Sequence, residues 1–122
     1  MPLTWIALGA LLAGLSVVGG AFGAHALAAR LDARGLELWE TAARYLMYGG
    51  LSLVLLGIVR QQWPRPGFVL AGISLFLGTL VFSGTVAALA LGSPRWLGAV
   101  TPIGGTLMIV GYALFAWTAI RG

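Results

Sequence analysis

"FVLAGISLFLGTLVFSGTVAALAL", residues 68–91, carries no charged side chain. About 20 helical residues of this kind cross the hydrocarbon core of a bilayer, so the stretch predicts a membrane helix. The rest of the chain shares its character. Of 122 residues, 60% are hydrophobic and 8% charged, and the mean hydropathy is +0.99. A water-soluble domain carries roughly 25% charged residues, so most of this surface is suited to lipid rather than water. The 7 basic side chains are all arginines and stand singly between apolar runs. Without a dense basic face to neutralise phosphates, nucleic acid is excluded as a partner. The chain has no cysteine, which excludes disulfides, thiolate nucleophiles and cysteine-ligated metal sites.

Three further spans are predicted outward from this one. Residues 3–27 are free of side-chain charge and long enough to cross. The opening "MPLT" lacks the positive charge of a signal peptide, and the apolar run is long for one, so a retained membrane helix is expected. The other spans cover about residues 41–59 and 97–120, with tight turns at "RQQWPRPG" (60–67) and "GSPRW" (92–96). Between the first two spans, Leu27, Leu31, Leu38, Trp39 and Ala42 recur at helical spacing, with Arg30, Arg34, Glu37 and Glu40 among them. This connector, about residues 28–40, is expected to form an amphipathic segment in the headgroup region, broken or kinked at Gly35. The predicted fold is therefore all-α: a single membrane domain, an antiparallel four-helix bundle with an interfacial segment after its first helix. Trp5, Trp39, Trp63, Trp96 and Trp117 fall near the span ends, where indole favours the headgroup level. Arginines are spread almost evenly over the two sides, and the acids of the first loop can hold those nearby, which places both termini inside.

The 19 glycines exceed what caps and turns require. Ser16, Gly20 and Ala24 lie four apart, as do Gly19 and Gly23, and Ser74 with Gly78; Thr79 and Ser83 repeat the spacing. Such rows let neighbouring backbones approach closely, which is how helices associate in lipid. In "VTPIGGTLM", Pro102 is expected in the first turn of the fourth helix. The alternative is a helix broken there, which would leave backbone carbonyls near Gly104 and Gly105 for a ligand.

His25 is the only histidine. As a haem ligand it lacks a second histidine, and Met47 or Met108 could substitute only if the fold brought one opposite it. As a metal ligand it lacks partners, and as a proton relay it lacks a carboxylate outside the connector. The plainer expectation is an interfacial histidine bonded to a backbone carbonyl, Asp32 or Glu37. No acid–base dyad stands at a spacing that a helix could assemble. "VFSGT" around Ser83 is not a nucleophile elbow. No catalytic residue, metal site or cofactor is expected, and the protein is read as no enzyme.

"GAFGAHAL", "WETAARYLMY", "LGTLVFSGT" and "VTPIGGTLMIVGYAL" occur in this order at the ends of successive spans. In this the chain resembles the domain of unknown function 423 family, small four-helix bacterial membrane proteins whose eukaryotic relative is called transmembrane protein 256. The resemblance implies a four-span topology in the bacterial inner membrane and no established activity. His25 matches the family motif. Members usually carry a second histidine in a stretch like "YQMYHAL"; here it reads "YLMYGGL", with Gly49 at that position, which weighs against any mechanism needing two facing histidines. The leading expectation is a non-enzymatic bundle that binds membrane lipids or a partner, either a second copy or another membrane subunit. Two alternatives are a small oligomeric transporter or channel using Ser83, Thr85, Thr101 and the Pro102–Gly105 segment, and a quinone- or haem-associated accessory subunit using His25.

Overall fold

A computed structural model describes residues 3–121. Four helices are long and apolar enough to cross a membrane. The first span is composite: α1 (Thr4–Val17), a π-helical turn (Val18–Gly23) and α2 (Ala24–Leu27). The others are α3 (Ala33–Gln62), α4 (Pro66–Ala90) and α5 (Leu97–Arg121). Sequential helices form the closest pairs: α1 on α3, α3 on α4, and α4 on α5. Across the first pair, Gly57 meets Ile6, Gly50 meets Gly9, and Ser16 donates to the carbonyl of Ala43 at 2.6 Å. These contacts step in opposite directions along the two helices, so the pair is antiparallel. Ser74, donating to Leu107 O at 2.6 Å, and the mutual contact of Gly78 with Gly104 show the same for α4 and α5.

α3 differs from expectation at its start. It begins at Ala33, well before residue 41, so the charged half of the connector forms the first turns of the second span rather than a separate element. A helix start is set by capping and not by hydropathy: the Asp32 carboxylate accepts the Gly35 N–H at 2.8 Å, supplying one of the acceptors that first-turn N–H groups need. Gly35 does not break the helix, which is continuous from Ala33. It is buried, and a Cβ there would lie 3.1 Å from that of Leu31 and 3.2 Å from Asp32 Oδ1. Asp32→Ala should lower the stability of the fold in detergent by about 1 kcal/mol, readable as a lower melting temperature of the helical circular-dichroism signal. An unchanged melting temperature would show that the cap is idle.

The remaining turns follow their residues. Pro66 opens α4 at a position where a missing N–H costs nothing. Arg65 beside it donates to the carbonyls of Thr118 and Ala119 at 2.8 and 3.1 Å, closing the C-terminal end of α5. α4 ends in a Schellman turn: Ser93 N–H reaches Ala88 O, Gly92 N–H reaches Leu89 O, and Gly92 adopts a φ of 94°. α5 is continuous through Pro102, which lies past the first turn rather than in it. Its ring removes the N–H that Gly98 O would meet in a regular helix, and the helix tolerates this one missing bond without breaking.

The deepest packing lies between the middle helices, with Leu53, Leu56, Phe68, Ala71 and Leu75 essentially buried and Leu12 reaching them from α1. Trp5 is partly withdrawn from the aromatic belt: its ring fills the space beside Gly72 of α4, and its Cβ lies against Gly57 of α3. Trp63, Trp96 and Trp117 remain exposed at the span ends, and the guanidinium of Arg121 lies 5.3 Å from the Trp117 ring.

Candidate functional site

α1 packs along α3 and reaches α4 through Trp5; further along, the space between α1 and α4 is an open groove of about 280 Å³ floored by α3. Its lining is graded along the helix axes. Toward mid-membrane the walls are Leu12 and Leu15 of α1, Leu46 of α3 and Leu80 of α4. Toward the first loop they become small: Gly19, Ala42, Ala43, Gly84 and Ala87, with the indole of Trp39 among them. Glycine and alanine withhold side-chain volume on three helices at once, so the groove widens where Trp39 stands.

Trp39 is fixed by its donor. Nε1–H meets Gly19 O at 2.7 Å, within the π-helical turn. A side chain at Gly23 would press on the same ring at 3.0 Å, whereas Gly19 and Gly20 stand at ordinary contact distance from Trp39 and Ala43. The residues Val18–Gly23 thus hold a single wide turn against one indole, and π turns of this kind recur at functional positions in helices.

Ser83 contributes to the groove wall at 6% exposure, and its hydroxyl has no hydrogen-bond partner. Thr79, one turn deeper on the same helix, is fully buried and likewise unpaired, packed where Gly49 leaves room for it. Several other hydroxyls in the spans are satisfied. Ser16 and Ser74 bond across helix pairs, and Thr85 and Thr101 bond each other at 2.7 Å, one of them donating while the other donates to a carbonyl of its own helix. Ser83 lines the groove, whereas Thr85 and Thr101 are not among its lining residues.

The other sequence candidates lie elsewhere. His25 is exposed at the end of the first span, and its imidazole makes no hydrogen bond among the described residues. The carboxylates expected to hold it are engaged: Asp32 caps α3, and Glu37 pairs with Arg34 at 3.4 Å. Gly104 is buried against Phe82 and Gly78 in the α4–α5 contact, and Gly105 stands beside the Phe82 ring at 3.7 Å. Ala24 is half-buried at the start of α2. Met108 lies in the α4–α5 contact, remote in the fold from the first-span end that carries His25. No group of three or more His, Cys, Asp or Glu comes together among the described residues. Gly9 and Gly50, the closest backbone approach of α1 and α3, belong to none of the small-residue rows picked out above.

Four antiparallel helices, each long and apolar enough to cross a bilayer, define a multi-pass integral membrane protein. The chain belongs to the family described as "Protein of unknown function (DUF423)", whose model matches residues 19–105. It is 43% identical over 116 residues to a UPF0382 membrane protein of Staphylococcus haemolyticus, covering 90% of this chain and 89% of that one. It is 44% identical over 116 residues to the corresponding protein of Staphylococcus saprophyticus, covering 90% and 91%. A UPF0382 membrane protein of Bacillus subtilis is 35% identical over 118 residues, covering 96% of each. No solved structure matches.

Proposed function

We propose that this protein is a non-enzymatic membrane bundle that binds lipid in the groove between α1, α3 and α4. The observation that carries this reading is the groove itself: an apolar recess open to the surface of helices that lie in a bilayer. Empty volume of this size forfeits dispersion contacts along its whole lining. Hydrocarbon chains are the only abundant molecules at that depth, and they restore those contacts at no polar cost. A membrane-embedded recess of this chemistry holds lipid in the way that a soluble apolar pocket holds an apolar ligand.

Gly84→Leu tests this directly, because a side chain at Gly84 meets nothing within 4 Å and grows into free space without disturbing the helices. In native mass spectrometry after extraction from phosphatidylglycerol–phosphatidylethanolamine bilayers, the parent should retain phospholipid, and the variant should retain several-fold less. A parent that emerges bare, or equal retention by both proteins, would overturn the reading.

A further inference from the structure

We infer that the preferred occupant of the groove is a membrane-dissolved carbonyl compound of the isoprenoid-quinone type, its ring beside Ser83 and its tail along the leucines. The inference rests on the lipid-binding reading and deepens it. It starts from the unpaired hydroxyl. A buried hydroxyl without a partner costs about 1–3 kcal/mol, and most serines and threonines in the spans avoid that cost. Ser83 does not, and it stands in the wall of the groove. One side-chain torsion separates its oxygen from the backbone, so rotation about χ1 presents the hydroxyl to an acceptor in the groove without moving the helix.

Depth selects the acceptor. α4 has 25 residues, about 37 Å at 1.5 Å each, against a hydrocarbon layer of about 30 Å, so each end overhangs by about 4 Å. Ser83 precedes the helix end at Ala90 by seven positions, or about 10 Å. Its hydroxyl therefore lies about 6 Å inside the hydrocarbon boundary. The ester carbonyls of a phospholipid sit at that boundary and fall short of it. A quinone carries its carbonyls on a ring that dissolves below the ester level. The groove also has the matching shape: Gly19, Ala43 and Gly84 leave room for a flat ring against Trp39, and Leu12 and Leu80 flank the course of a flexible tail.

The test uses the full chain in detergent with two probes that share a tail, decylubiquinone and decylbenzene, each titrated against thermal stability, which rises with occupancy. The parent should bind decylubiquinone about fivefold more tightly than decylbenzene, the worth of one neutral hydrogen bond. Ser83→Ala should remove that preference and leave decylbenzene binding unchanged; because it deletes an unpaired group, the unliganded stability should not fall. Gly84→Leu should abolish binding of both. If the parent treats the probes alike, or Ser83→Ala keeps the preference, the quinone inference fails while lipid retention blocked by Gly84→Leu still stands. If Gly84→Leu changes neither retention nor probe binding, the groove is not the site and both readings fail.

Discussion

Gly104→Val is expected to separate α5 from α4, with a loss of about 3 kcal/mol or more on the scale of severe overpacking. A Cβ at Gly104 would run into the backbone nitrogen of Phe82 and lie 2.8 Å from its Cα and 3.0 Å from Gly78 O. Those atoms belong to a helix main chain, which cannot turn aside as a flexible side chain would. The partner glycine is as tightly held: a Cβ at Gly78 would lie 2.6 Å from Met108 N and 2.8 Å from Gly104 O. Unfolding by dodecyl sulfate in mixed micelles, followed by tryptophan fluorescence, measures the loss. Gly105→Val supplies the control, since its Cβ would meet only the edge of the Phe82 ring, at 3.7 Å. Its effect should stay within about 1 kcal/mol. Equal stability of the two valine variants would remove close backbone packing as the cause of α4–α5 association.

Gly50→Val should act as strongly on the first helix pair. Its Cβ would stand 2.8 Å from both Ala13 N and Gly9 O, so α1 could remain seated only by moving away along its length. Because α3 is the main support of α1, displacement there loosens the first span. The expected result is a loss of about 3 kcal/mol, together with greater protease sensitivity of the first loop. Gly14→Val on the opposite side of α1, where nothing lies within 4 Å, should be nearly neutral. Gly20, in the row that the sequence brings forward, is the weaker site, since a Cβ there meets Ala43 at an ordinary 3.6 Å. Loss of stability by Gly14→Val equal to that by Gly50→Val would contradict this account.

The four crossings are legible in the sequence because hydropathy reports the solvent of a segment directly. The turns around Pro64–Pro66 and Gly92–Pro94 are legible for a related reason: these residues limit the backbone whatever lies nearby. What the sequence hides depends on the register between helices. Gly9 and Gly50 are two glycines among 19 until the structure sets one on the other. Gly104 suggests a ligand loop and turns out to face Gly78. The start of α3 is hidden because charged residues extend a helix as readily as apolar ones once Asp32 caps it, so a change of solvent is not a change of conformation. The π turn at Val18–Gly23 has no composition of its own. The vacant partner of Ser83 is a relation to surrounding atoms, which no one-dimensional pattern records.

The length of α3 is taken up as slope rather than height. At 30 residues it reaches about 45 Å, against about 37 Å for α4. Yet a short turn joins the two helices at one end, and at the other Gly35 lies against the carbonyl of Ala90, the last residue of α4. A longer rod held between the same two levels must lean relative to a shorter one. Leaning is how an over-long apolar span fits a bilayer, so the mismatch is relieved within the bundle rather than by deforming a monolayer.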